Sequence, residues 1–392
     1  MDAAGRIAAA GPDEAVPRPE GVRAVDYPDA LLLPGLINVH THLELHGLRG
    51  QVEETDFFSW IQHMRRLRET AGADDYREGA RAGLKECWSF GVTTVADTGT
   101  SGATVEAIAE LGGRGVYYQE ALGSDRRGAA RAFAEVMKSV GRLLEEAPAA
   151  VAIGVSPHAP YTVAPELLVR AVGYALERGL PLAMHLAESS AEAEFVTAGR
   201  GAFARDWRER GIPLPRPARS PVAYAAAAGV LGPDLLAIHA VQTDPEDVAL
   251  LAEADAAVAA CPRSNRRHGH GDLPLAELLG AGVRVGLGTD SAASVPDLDL
   301  LAEARAAREL AGLAAEEAVR LATLGGARAL GMEAEVGSLE AGKWADFCVL
   351  PLEAGATRDA GEVAGLVLEH REDCRATWVA GRQAYPEPDP GT

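Results

Sequence analysis

Two histidines, His40 and His42, interrupt the run Leu-Ile-Asn-Val-His-Thr-His-Leu-Glu-Leu (36–45), which otherwise reads as a buried strand. Alternate residues of a strand share a face, so both imidazoles would project together into whatever that strand faces. Side by side in a core, their ring nitrogens would lack partners, at about 1–3 kcal/mol each. A metal ion turns that cost into bond energy. A pair of ordinary hydrogen-bonded histidines fits the same two positions equally well.

The pair has company. His158 closes the run Gly-Val-Ser-Pro-His, His185 closes Pro-Leu-Ala-Met-His, and His239 closes Leu-Leu-Ala-Ile-His. Asp290 ends Val-Gly-Leu-Gly-Thr-Asp, while Asp97 and Glu120 end two earlier runs. Of the ten histidines, five stand at such ends. Polar groups gathered this densely in a core must share partners.

The elements that would position them are short β-prone runs alternating with helical patterns. The strands are expected at Leu36–His42, Val92–Asp97, Gly115–Glu120, Val151–Pro157, Pro181–His185, Leu235–His239, Ala256–Cys261 and Val283–Thr289. Between them, 76–90, 131–147 and 165–180 carry the 3.6-residue period of amphipathic helices. Thr162 with Pro165, and Asp244 with Pro245, read as helix starts. Eight strands each followed by a helix predict a (β/α)8 TIM barrel over 35–331. A doubly wound open sheet is the rival, and the placement of polar residues at strand C-termini favours the barrel, whose active sites lie on that face. The flanks, 1–34 and 332–392, read as short strands joined by glycine turns. They predict a composite β-sandwich domain built from both chain ends. The abrupt start at Met-Asp-Ala-Ala-Gly-Arg-Ile suggests a missing strand or more chain upstream, and hence an unpaired sheet edge.

The remaining composition narrows the class. Over 392 residues, 47% are apolar and 24% charged, enough for a core without disulfides. A net charge of −20 argues against nucleic acid or an anionic membrane as partner. Cys87, Cys261, Cys348 and Cys374 form no CxxC pair and fit a reducing compartment. With no bilayer-length apolar run and no signal-peptide pattern, a cytoplasmic location is expected. A homodimer is the base-rate expectation.

Taken together, Pro-Gly-Leu-Ile-Asn-Val-His-Thr-His-Leu-Glu, His-Leu-Ala-Glu-Ser, Ile-His-Ala, Cys-Pro-Arg-Ser-Asn and Gly-Thr-Asp-Ser resemble the amidohydrolase superfamily of metal-dependent hydrolases. The terminal pattern Gly337, Leu339, Gly342, Ala345, Asp346 belongs to the same resemblance. It implies one divalent metal ion, zinc or alternatively iron, on His40, His42, His185 and Asp290, with His239 beside the metal-activated water. Binuclear members bridge two metals with a strand lysine. Lys85, Lys138 and Lys343, the only lysines, fall outside every expected strand. Glu120 keeps open a ligand role of the kind seen in N-acetyl-sugar deacetylases, or a supporting role behind a ligand.

Glu188, three residues after His185, matches the spacing of the mononuclear deaminase branch. Hydrolytic loss of ammonia requires a proton to leave the water, another to reach the ring nitrogen, and one to reach the departing amine. One carboxyl can shuttle all three, with Asp290 and His239 orienting the water and stabilising the adduct. His158, Glu44, Trp60 and Arg49 are the expected substrate contacts, with Arg263 a further candidate for a carboxylate. Residues 56–67 are expected as a lid or pocket wall, with Phe57, Phe58 and Trp60 either stacking on a ligand or simply buried against the barrel. Within the branch, the first motif and Phe-Phe-Ser-Trp-Ile resemble the aminodeoxyfutalosine deaminases of menaquinone biosynthesis. Deaminases of S-adenosylhomocysteine, methylthioadenosine or guanine, and triazine chlorohydrolases, stay open. So does a catalytically silent nucleobase- or metal-binding relative, although such a protein has no use for Glu188.

Overall fold

The computed structural model describes residues 1–16, 19–351 and 359–387; residues 17–18, 352–358 and 388–392 of the expected terminal domain lie outside them. Eight parallel strands follow one another in chain order: β2 (Leu36–Thr41), β3 (Val92–Gly99), β4 (Arg114–Ala121), β5 (Val151–Pro157), β6 (Leu182–Leu186), β7 (Leu235–His239), β8 (Ala257–Ala260) and β9 (Arg284–Leu287). β1 (Ala30–Pro34) precedes them. Every residue of β2, β3 and β4 is buried, as expected of strands covered on both faces.

Closure comes from the ends of β2 and β9. A parallel bridge joins Thr41 to Asp290, and the Asp290 N–H donates to the His40 carbonyl at 3.0 Å. Asn38 Nδ2 donates to Thr289 Oγ1 at 2.8 Å while the Thr289 N–H donates back to Asn38 Oδ1 at 3.1 Å. Gly288 permits this approach: a Cβ there would lie 2.7 Å from the His40 Cβ. The seam that closes the barrel thus also brings Asp290 to the two strand histidines.

All three expected helices are present, as Ala73–Ser89, Ala129–Glu146 and Pro165–Arg178. Asp244 caps the helix Pro245–Glu253 through the Asp247 N–H, as its position suggests. Thr162 does not cap: Ala164 precedes Pro165, and the Thr162 hydroxyl donates to the Ala159 carbonyl instead. An extra helix, Phe57–Thr70, is inserted between β2 and Ala73–Ser89, with Asp56 Oδ2 accepting from the Ser59 N–H at its start. Its buried residues Phe57, Trp60 and Met64 recur at helical spacing, and this face overhangs the barrel mouth.

The chain ends combine in an antiparallel sheet of order β1–β10–β11–β12, with β10 at Phe347–Pro351, β11 at Ala376–Val379 and β12 at Arg382–Tyr385. Among the described residues it is a single four-stranded layer, with one further bridge, Arg6 to Trp344. Helix Ala73–Ser89 of the barrel packs on β11 and β12, taking the place of a second sheet. β1 and β12 are its edges. The buried pair Arg114–Asp346, 2.9 Å apart, ties β4 to the start of β10. Among the described residues no helix is long and apolar enough to cross a membrane.

Candidate active site

His40 and His42 leave β2 at its C-terminal end, where the chain turns sharply into the short helical turn Leu43–Leu48. Asp97 on β3 fixes that turn, accepting from the Leu43 N–H (2.6 Å), Thr41 Oγ1 (2.7 Å) and Thr104 Oγ1 (2.8 Å). Burial pushes the Asp97 carboxyl up to about 7 even so. His42 Nδ1 faces the Thr98 carbonyl at 2.9 Å, and His185 Nδ1 on β6 faces the His158 carbonyl at 3.2 Å. A proton on each Nδ1 satisfies those carbonyls and leaves both Nε2 atoms as bare lone pairs, 3.3 Å apart. Two acceptors cannot bond to each other.

His40, fully buried, has no hydrogen-bond partner on either ring nitrogen among the described residues. Asp290 Oδ1 lies 3.4 Å from His40 Nε2 and 3.6 Å from His42 Nε2. Ligating atoms of His40, His42 and His185 all fall within 4.8 Å of one another. Burial, reinforced by the neighbouring His40, holds His42 down at about 4, and burial with four surrounding histidines holds His185 well below its usual value. Neutral imidazoles with converging lone pairs beside a carboxylate are the donor set a divalent cation needs. The residues therefore fit a metal ion.

Glu188 stands two residues beyond the end of β6. Its Oε2 accepts from the Tyr161 hydroxyl at 3.1 Å, and its Oε1 lies 3.5 Å from His239 Nε2 and 3.4 Å from His270 Nε2. Burial alone would raise the Glu188 carboxyl; His239 and His270 outweigh it and hold the group at about 2. The backbone at this rim is strained. Ala187, His239 and Asp290 have φ of 54°, 78° and 63°, a region costly for residues other than glycine and common at functional sites. Glu192 secures the first of these turns by accepting the Ala187 and Glu188 N–H groups at 2.9 and 2.8 Å. The short helix Pro262–Arg267 after β8 secures the others. Ser264 Oγ donates to Asp290 Oδ2 at 2.5 Å, and Asn265 Oδ1 faces His239 Nδ1 at 3.0 Å. Ser264 and Asn265 of the Cys-Pro-Arg-Ser-Asn motif thus support two groups of the site.

A cavity of about 520 Å³ opens above these groups, with His42, His185, Glu188, His239 and Asp290 on its floor. Trp60 and His158, two of the substrate contacts the sequence suggests, line it along with Phe57. The His158 ring stacks on His185 with centroids 4.6 Å apart, and its Nδ1 meets Thr162 Oγ1 at 2.9 Å. Glu44 and Arg49 do not line this cavity. Because β2 has already ended, Glu44 no longer shares the face of His40 and His42. Its carboxylate accepts the Thr100 N–H (2.9 Å), the Ser101 N–H (3.1 Å) and the Ser101 hydroxyl. Arg49 is held by Glu86 at 2.7 Å. Arg263 pairs with Asp297 at 2.8 Å, also off the cavity, and Phe58 packs on Phe203 rather than on the site. Glu120 stands behind His42, 4.0 Å from its Nδ1, with Oε2 bound to Arg68 at 2.9 Å. Burial opposes ionisation there, but Arg68, His158 and His42 hold Glu120 at about 2.

Sequence reasoning missed Arg68, Tyr161, Phe203 and the pair His268 and His270. Only the last had a legible signal, a second His-x-His.

Residues 31–381 match the amidohydrolase family. The chain belongs to that family and is a hydrolase acting on carbon–nitrogen bonds. It is 33% identical to 5-methylthioadenosine/S-adenosylhomocysteine deaminase of Symbiobacterium thermophilum, over 98% of this chain and 88% of that one. An adenosine deaminase from Xanthomonas campestris with bound zinc superposes with a TM-score of 0.77 at 27% identity, covering 91% of this chain and 80% of that one. Helicobacter pylori aminofutalosine deaminase, solved in complex with methylthio-coformycin, shares the fold with a TM-score of 0.77 at 22% identity, covering 91% and 87% of the two chains.

Proposed function

We propose that the protein is a metal-dependent hydrolytic deaminase of a 6-aminopurine nucleoside, with 6-amino-6-deoxyfutalosine as the substrate. The observation that carries this reading is the Glu188 carboxylate, buried at the cavity floor and aligned by Tyr161 at 3.1 Å and His239 at 3.5 Å, next to the histidine cluster. His40, His42, His185 and Asp290 would hold one divalent ion, zinc in our reading with iron as the alternative. Such an ion supplies a water that loses its proton near pH 7.

Glu188 takes the proton of the attacking water and delivers it to the purine ring nitrogen next to the amino-bearing carbon. It then passes the water's second proton to the amine, which leaves as ammonia, so water and the 6-amino compound give the 6-oxo compound and ammonia. His239 and Asp290 orient the water and stabilise the tetrahedral adduct. His158 donates to the heterocycle, and Phe57 with Trp60 pack against it.

A second reading, deamination of 5′-methylthioadenosine or S-adenosylhomocysteine, is favoured by the 33% identity to a deaminase of that name. Both readings use one purine site and differ only in the tail attached at the 5′ carbon. Zinc analysis, together with ammonia release from adenosine, methylthioadenosine, S-adenosylhomocysteine and aminodeoxyfutalosine, tests them. We expect release, fastest with aminodeoxyfutalosine. A metal-loaded protein that frees no ammonia from any of the four, yet cleaves an N-acetyl sugar or a cyclic amide, contradicts the reading.

A further inference from the structure

The second His-x-His, His268-Gly269-His270, stands in the turn that ends the short helix Pro262–Arg267 after β8, with Gly269 at φ 66° and Gly271 at φ 98°. These left-handed glycines turn the chain so that both rings face the barrel mouth. The His270 backbone is fixed on both sides: its N–H donates to the Asn265 carbonyl at 2.9 Å, and its carbonyl accepts from Gln242 Nε2 at 2.7 Å. Its ring is clamped edge-on by Phe57 (4.5 Å between centroids) and stacked on His268 (5.4 Å). Thus oriented, His270 Nε2 is buried, has no hydrogen-bond partner among the described residues, and lies 3.4 Å from Glu188 Oε1. His270 does not line the cavity. It sits behind Glu188 and reaches the reaction only through that carboxylate.

We infer that His270 is a positioning residue for the deamination, its Nε2–H holding Glu188 Oε1 in line with His239 while the Tyr161 hydroxyl holds Oε2. The inference rests on Glu188 being the proton shuttle. An ionised carboxylate that must turn from water to ring nitrogen to amine needs donors that fix its plane without sealing its inner face, and His270 donates from the outer side. The segment 261–271, a short helix and the turn that follows it, then serves three groups at once: Ser264 on Asp290, Asn265 on His239 and His270 on Glu188.

His270→Leu, His270→Gln and Glu188→Gln, each purified with its metal, test this. Loss of a partner that orients a functional group typically costs about 10–100-fold. His270→Leu should therefore lower kcat by that factor, with KM within about threefold and metal content unchanged. His270→Gln, whose side-chain amide places an N–H at similar reach, should recover most of the loss. In long-range 1H–15N spectra the wild-type His270 ring should carry its proton on Nε2, and Glu188→Gln should shift that signal. Wild-type kcat in His270→Leu beside an inactive Glu188→Gln, or a His270 proton on Nδ1 alone, overturns the inference. Full activity in Glu188→Gln instead overturns the shuttle reading on which it rests.

Discussion

The two His-x-His pairs of this chain share a spacing and differ in everything else. His40 and His42 ride the end of a strand, whose alternation sends both rings to one face and their free nitrogens to one point. His268 and His270 ride a glycine-rich loop, where the rings stack 5.4 Å apart and turn their edges to Trp60 and Phe57. The first pair converges, with His185, on a point where ligating nitrogens could hold a cation. The second builds a wall and reaches a carboxylate. Spacing alone therefore does not assign a role; the backbone that carries the spacing does.

The comparison breaks first at the strand pair's partner. Removing His185 deletes the lone pair 3.3 Å from His42 Nε2. His185→Ala should fall to about a tenth of an ion per chain or less, since an imidazole donor is lost outright, and lose turnover with it. Full metal occupancy measured by atomic absorption in that variant would remove His185 from the ligand set. Glu188→Gln tests the other side of the same floor: metal retained, kcat down by about 10²–10⁴-fold, the usual worth of a general acid–base group. Unchanged kcat excludes Glu188 from proton transfer.

Smaller effects separate residues that hold the loops from residues that touch substrate. Glu44→Gln leaves the Thr100 and Ser101 N–H groups with a weaker acceptor. It should cost about 1–3 kcal/mol of stability in urea unfolding and leave KM unmoved; a selective rise in KM would return Glu44 to the substrate. Glu192 gives the most conditional signal. Burial raises its carboxyl from 4.5 in the open chain to about 8 in the fold. Its contribution is thus fully present below pH 4.5 and is lost as pH rises through about 8. Glu192→Gln should flatten that decline in Tm between those limits, and parallel Tm–pH curves for the two proteins would refute the assignment.

Much of the barrel was legible because parallel strands buried on both faces are written as apolar runs, and His185, His239 and Asp290 mark where those runs stop. Glu44 was misplaced because alternation was extended beyond Thr41, where Asp97 pulls the chain into a turn. Arg49 was misplaced because nothing local announces Glu86, thirty-seven positions away, as its partner. Tyr161, Phe203 and Arg68 reach the cavity from separate helices and loops. Their convergence depends on how those elements pack over the barrel mouth, and a linear pattern does not carry that information. The second His-x-His was visible as letters, but its role depends on Gly269 and Gly271, whose left-handed turns no strand template contains.

The central claim is a single cation held by the end of β2 together with β6. Anomalous diffraction from crystals of the purified protein, collected on both sides of the zinc absorption edge, addresses it directly. The account predicts one strong peak within bonding distance of His40 Nε2, His42 Nε2 and His185 Nε2. No peak there in crystals of protein that still releases ammonia from its substrate would contradict it.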